Sequence, residues 1–516
     1  MSVFEVNDNQ YTKNYNCVII PENGSSFREG KRLRFNLDNT SGFIDPESSF
    51  LRFDLNRSGN GAGGSVPEPT SGGHSLIRDL LIYSGDGTNL EELLDYNVWV
   101  NQEINLSNDK GYKETRNNIE GCILQDEDSD DSLEQQDILD NKYSKYNDGV
   151  YPISKKICLP LYGGLFKSGK VVPITALNGL RIDIQLDDNV NRCMRGSTEL
   201  VREFDVEDID LSGGSSRYLV IKVASLDPSK VESGLGWGVG DMISFDGNNY
   251  KVKKIGVGKS NTIPPYVGTV DQVIVSLEVN ELPRKNYQNQ KIKWYDDNSL
   301  SYEVSNPVLV VRKVIPQPQY LNSMIKKLSG KGLSFDIKSF NNIKNSVSAD
   351  ALQSSTLINS FHTRALSLCS VPQSQSNNNL EDNLLRGVNL NANNYVYNIK
   401  NKQVPSRKVN LTRYNIDTSA NTVLDRNISN DVEHISETDK AWRNAGVVVR
   451  NLRNQQYNIS YDRALSNYGG SMNLMGANPQ LQINYTTGGG AKLINTFVSH
   501  LKNININPAT GVVVSS

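Results

Sequence analysis

The sequence predicts an all-β protein built from sheets with one buried and one wet face, with a few short helices in its loops. Three observations carry this. Apolar and polar residues alternate with period two through much of the chain. Asn makes up about 12% of the 516 residues, beside 40 Gly, and these two types build tight turns. Helical periodicity appears in only three short segments.

The strands come first. Leu33, Phe35 and Leu37 alternate with Arg32, Arg34 and Asn36, and Leu51, Phe53 and Leu55 with Arg52, Asp54 and Asn56. Leu180, Ile182, Ile184 and Leu186 alternate with Arg181, Asp183, Gln185 and Asp187. Ile182 and Ile184 are therefore expected inside a sandwich, with Arg181 and Asp183 on its other face, where changing Asp183 costs much less unless that face meets a neighbouring roll or subunit. Later strands include Leu333/Phe335/Ile337, Tyr395/Tyr397/Ile399, Leu481/Ile483/Tyr485 and Ile504/Ile506. Sandwiches and jelly rolls are built this way.

The helices follow. Thr88 to Trp99 opens with a capping box, Thr88 with Glu91, and spaces Leu90, Leu93, Leu94 and Val98 as a stripe. Pro318 to Leu328 begins with Pro and carries Leu321, Met324, Ile325 and Leu328, with Gly330 after its end. A third helix is expected near Ser436 to Asn444. Ser58 to Gly73 and Pro372 to Asn379 read as polar loops, and Asp126 to Asp140 as an acidic one. Between about 204 and 298 lie Tyr218–Val223, Met242–Phe245, a turn at Asp246-Gly247, Tyr250–Ile255 and Val273–Val279, which suggest a small β module of their own. No fixed short repeat is visible, which counts against a solenoid.

Composition bounds the function. The length is enough for roughly three folding units. Charged residues are 22% and the net charge is −3, so no long-range field draws nucleic acid. Residues 1 to 16 hold one Lys and no Arg, not a basic genome-binding arm. No apolar run approaches the ~18 residues that span a bilayer, and no signal peptide opens the chain. Synthesis in cytosol or nucleus is the expectation. Cys17, Cys122, Cys158, Cys193 and Cys369 show no CxxC pair and are expected as free thiols.

Each motif that could carry chemistry fails on its context. Gly59-Asn60-Gly61-Ala62-Gly63-Gly64 matches a dinucleotide loop, but Pro67 and Pro69 exclude the helix that must follow. Gly258-Lys259-Ser260 ends like a phosphate loop, yet Lys253 stands where the first Gly belongs. Asp126, Asp128, Asp130, Ser132, Glu134 and Asp137 approach a calcium-loop spacing, but Asp131 replaces the turn Gly and Asp137 the bidentate Glu. His74, His362, His434 and His500 have no partner at a metal spacing, and no GxSxG elbow marks a nucleophile. The expectation is no enzyme: no catalytic, cofactor-binding or metal residues and no cofactor.

Three stretches resemble the double jelly-roll major capsid proteins of polinton-like viruses, virophages and larger double-stranded DNA viruses. The most specific is Ile157-Cys158-Leu159-Pro160-Leu161, then Val172-Pro173-Ile174-Thr175-Ala176-Leu177, then Leu180 to Leu186. Tyr302-Glu303-Val304 through Val308 to Tyr320 resembles the last strand of a first roll and its link onward. Asn495 to Val514, with His500-Leu501 and Gly511, resembles the closing strands of a second. The resemblance implies two tandem jelly-roll sandwiches with short loop helices and an inserted β module. The expected division is an amino-terminal arm at 1–29, the first roll at 30–203, the module at 204–298, the closing strand and link at 299–317, and the second roll at 318–516. It further implies a virion shell protein whose partners are its own copies, as trimers tiling an icosahedral shell, with penton and minor capsid proteins. Sequence-specific nucleic-acid binding is not implied, and membrane contact is left open. A receptor- or carbohydrate-binding β protein, such as a viral fibre or lectin, shares the Asn, Gly and Tyr content and stays open as the alternative.

Overall fold

A computed structural model describes residues 11–38, 42–57, 66–68, 71–107, 119–121, 154–195, 301–330, 332–374, 385, 387, 392–411, 439, 441–442, 457–460, 471–485, 491–507 and 511–515, with the strand backbones within 200–295. The first region contains β1 (Tyr11–Ile19), β2 (Ser26–Arg28), β3 (Arg32–Leu37), β4 (Phe43–Arg57), β5 (Val66–Pro67), β6 (Ile77–Ser84), β7 (Asn89–Leu93), β8 (Ser154–Pro160), β9 (Val172–Pro173), β10 (Leu180–Leu186) and β11 (Met194–Arg195). The middle holds β12 (Leu200–Ile209), β13 (Tyr218–Lys222), β14 (Met242–Phe245), β15 (Asn248–Val257), β16 (Gln272–Leu277) and β17 (Lys291–Tyr295). β18 (Tyr302–Pro316) returns to the first region. The last region holds β19 (Leu333–Val347), β20 (Gln353–Leu357), β21 (Ala365–Ser374), β22 (Ala392–Ile399), β23 (Lys402–Asn410), β24 (Tyr457–Ser460), β25 (Gln480–Tyr485), β26 (Lys492–Asn507) and β27 (Gly511–Ser515). The helices with described bounds are α1 (Tyr96–Ser107), α2 (Val190–Cys193) and α3 (Pro318–Gly330).

Two sandwiches emerge, and the chain traces the same path through each. In the first, β2-β18-β4-β8 faces β3-β10-β6-β7, with β1 added on β18 and β9 on β4. In the second, β19-β26-β21-β24 faces β20-β25-β22-β23, with β27 added on β26. Among the eight strands of each roll, leaving out the added β1, β9 and β27, successive strands cross between sheets except at one hairpin, β6-β7 or β22-β23. That is the jelly-roll winding. All strand pairs are antiparallel, so the alternation sends one face of each strand inward. Leu33, Phe35, Ile182 and Ile184 are fully buried, as are Tyr395, Tyr397, Leu481 and Ile483 in the second roll. The strands β12-β13-β16-β15-β14-β17 close on themselves as a barrel between β10 and β18.

Several expectations are corrected. The helix expected over 88–99 is absent from 88–95. Asn89–Leu93 pairs with β6, Leu80 opposite Leu93, and helix α1 begins only at Tyr96 after Asp95 turns at φ 50°. Sheet pairing overrides the local capping signal. In α3 the expected stripe holds in part: Met324 is buried and Leu328 packs on the core beside Tyr320, while Ile325 faces solvent. The helix runs on through Gly330, and the chain turns at Gly332, φ +80°, where a Cβ would lie 2.8 Å from the Ile506 carbonyl oxygen. Pro372–Ser374 belongs to β21, with Pro372 opposite Ile494, so the first three residues expected as a polar linker are strand. Part of the loop at 58–73 is structured: Val66–Pro67 pairs with β11, and Glu68, Ser71, Gly72 and Gly73 are buried. Of the third expected helix, Asp439, Ala441 and Trp442 are described, and they are helical.

Candidate functional site: the seam between the two rolls

One apolar cluster runs from the first sandwich into the outer face of β19, β26 and β21, while the second sandwich keeps a separate core of its own. The rolls are thus joined by a continuous hydrophobic seam. Helix α1 stands at its centre. Every residue from Tyr96 to Ile104 is buried, so the helix has neighbours on all sides. Trp99 stacks on Phe340 of β19 at 4.4 Å and on Trp442 at 4.7 Å, with Phe497 of β26 at 5.4 Å. Contacts of this geometry add about 0.5–1.5 kcal/mol each beyond area burial. Gln102 donates to the Leu385 carbonyl at 2.8 Å, so second-roll loops also hold the helix.

Polar groups fix the register of the seam. Glu91, fully buried at the edge of the first roll, accepts backbone N–H groups from Gly164 at 2.7 Å and Leu165 at 3.0 Å, and the Ser339 hydroxyl at 2.7 Å. Burial pushes its carboxyl above the usual range, and these bonds offset part of that. Gly164 passes so close to β19 that a Cβ would lie 2.3 Å from the Lys338 carbonyl oxygen. Asp95 meets Lys344 of β19 at 2.6 Å and Arg192 at 3.1 Å, and it also accepts from Asn342. Arg192 reaches Asp187 at 2.9 Å, and Asp187 takes a bond from Asn97 at 2.6 Å. Lys170 donates to the Asp336 carbonyl at 2.8 Å. Each buried carboxylate here has a cation or several donors, as its desolvation demands.

The residues weighed from the sequence fall as follows. His362 and His500 stack face to face at 3.7 Å within the second roll, a pairing no local spacing could reveal. His74 is fully buried, with Tyr96 Oη at 3.3 Å from Nδ1 and Glu120 at 3.9 Å from Nε2. Tyr96 Oη also accepts the Tyr162 N–H, and the direction of its bond with Nδ1 follows the imidazole tautomer. Burial and long sequence separation mark this cluster as part of the packing. His434, Cys122, the glycine-rich motif at 59–64, the acidic run at 126–140 and Gly258-Lys259-Ser260 lie outside the described residues. Among the described residues Cys17, Cys158, Cys193 and Cys369 form no disulfide. Among the described residues no group of three His, Cys, Asp or Glu could hold a metal ion.

The architecture is a double jelly roll. Solved structures share it over the whole length. The crystal structure of PBCV-1 VP54 fitted into a cryo-EM reconstruction of the virophage Sputnik is similar with a TM-score of 0.51 and 9% identity, covering 100% of both chains. The quasi-atomic model of the PBCV-1 virus capsid is similar with a TM-score of 0.50 and 10% identity, again over 100% of both chains. No protein-family model matches the sequence, and no curated protein is similar to it in sequence.

Proposed function

We propose that this chain is the major structural subunit of a virion shell, and that three copies close into a pseudo-hexagonal capsomer. The observation that carries this is the seam. Two rolls of identical winding are locked side by side by a shared core, giving a thick rigid block, and the PBCV-1 capsid chain shares that layout end to end. Three such blocks present six rolls around one axis. Function on this reading lies in interfaces and not in a catalytic cleft, so the chain is not an enzyme. Its partners are copies of itself, with penton and minor shell proteins, and its place is the virion, after assembly in host cytoplasm or nucleus. The division into an amino-terminal arm, a first roll closed by β18, a module inserted before β18 and a second roll belongs to the same proposal. The test is native mass and negative-stain microscopy of the purified chain. The expected result is a species of three times 57.3 kDa with hexagonal outline. A monomer alone at micromolar concentration overturns the reading.

A further inference from the structure

The wet face of β10 is not an ordinary solvated sheet face. Asp183 is buried there, its side chain 2% exposed, beneath three guanidiniums. Arg34 takes both of its oxygens, at 3.1 and 3.5 Å. Arg32 and Arg181 stand at 3.9 and 3.7 Å, within ion-pair range but beyond hydrogen-bond length. Arg32 turns its Nε to Gln185 at 3.2 Å, and Arg181 lies over the Tyr83 ring at 4.3 Å. One carboxylate thus serves three cations whose side chains are 47, 41 and 37% exposed. Asp79 and Asp188 are engaged by Arg78 at 3.0 and 2.9 Å, and Glu22 is the other carboxylate felt by Arg34. Within β3 and β10 themselves three guanidiniums meet the single carboxylate of Asp183, a local positive surplus on a preformed platform.

The same face is continuous with the seam. Along the register it runs from Arg34 through Asp183 and Leu81 to Glu92. Beside Leu81, Asp79 accepts the N–H of Asp95, where Lys344 of the second roll docks. One half of the face meets a roll through acidic groups. The other half, of opposite sign, is open. An acidic segment is its complement, and residues 126–140 hold eight carboxylates and no lysine or arginine.

We propose that the arginine face docks the acidic run 126–140 of a second copy of this chain, which rests on the shell-subunit reading above. Planar guanidiniums suit carboxylates, which they bind two bonds at a time. The test uses the full chain carrying Arg32→Lys and Arg181→Lys. These keep the charge and supply amines that a carbodiimide joins to carboxylates in contact. Isotope-labelled and unlabelled chains are mixed before coupling. The expected products join residue 32 or 181 to the 126–140 peptide with one labelled and one unlabelled member. Products of matched label only would put the run on its own chain and overturn the proposal, as would coupling solely to other acidic peptides. In parallel, Arg32→Ser with Arg181→Ser leaves the Arg34–Asp183 pair in place. It should weaken association on the order of tenfold at low salt, and much less at high salt. Association indifferent to the arginines in a chain that still forms trimers sinks this inference alone. A chain that stays monomeric at every salt concentration sinks the shell-subunit reading with it.

Discussion

At the residue scale, alternation told which side chains are buried, but not what a wet face can hide. Ile182 packs in the first sandwich with no exposure, and truncation to Ala should cost about 2–5 kcal/mol. From sequence alone Asp183→Ala should cost much less than Ile182→Ala, unless its face meets a neighbouring roll or subunit. The structure revises that, because removing the carboxylate leaves three guanidiniums facing one another. The expected cost is about 1–3 kcal/mol, moderated by the exposure of the arginines. Thermal unfolding of both variants checks the pair, and an Asp183→Ala protein as stable as wild type would show that the cluster contributes nothing. The stacked histidines give a pH dependence. Burial pulls His500 down to about 3, with His362 and Lys502 adding repulsion, and pulls His362 down to about 4, with Lys502 adding to it. His500 Nδ1–H donates to the Val498 carbonyl at 3.1 Å, and Arg364 nearby is held by Asp336 at 2.9 Å. Both folded-state values lie below the ordinary ~6.5, so the fold favours neutral rings. Their contribution is whole above about pH 6.5 and is lost as pH falls toward 3. His362→Gln should flatten the melting-temperature profile between those limits, and an unchanged slope would remove the pair as its cause.

At the element scale, the strands were legible because each has one buried face, and period two survives in the sequence. The expected strands at 33–37, 51–55 and 180–186 are all present, with the apolar positions buried. Helix α1 was not legible where it stands. Its residues are buried on all sides, Asn97, Asn101, Gln102 and Glu103 included, so no apolar stripe marks it, while the capping box upstream, Thr88 with Glu91, pointed to a helix where the chain forms a strand. The seam was invisible for another reason. Trp99, Phe340, Trp442 and Phe497 meet only after both rolls have formed. Trp99→Ala should remove about 3–5 kcal/mol. Because the loss falls between two rolls that each keep strands of their own, calorimetry should show the single transition splitting in two. A uniform small shift would mean that the rolls are coupled elsewhere.

At the scale of the whole molecule, the question is what the closed barrel contributes. Among the described residues its six strands pair with one another, and none joins a sheet of either roll. The chain leaves the first roll at β11, which is held by β5, and returns at Tyr302, whose hydroxyl donates to the Asp187 carbonyl at 2.7 Å. Both anchor points are fixed by first-roll contacts. The last strand of that roll, β18, pairs with β1, β2 and β4 along its length, so its register does not depend on the barrel. Replacing residues 200–295 with a short Gly/Ser linker lengthens no loop and exposes no sheet edge of the rolls. A flexible closure changes chain entropy by only a few tenths of a kcal/mol to about 1. The truncated chain should therefore fold, melt within roughly 2–4 °C of the parent and keep its oligomeric mass. If it is insoluble while barrel surface substitutions in the full chain are tolerated, the barrel is part of the first roll's folding unit. The equivalence of the two windings would then be a matter of topology and not of independent stability.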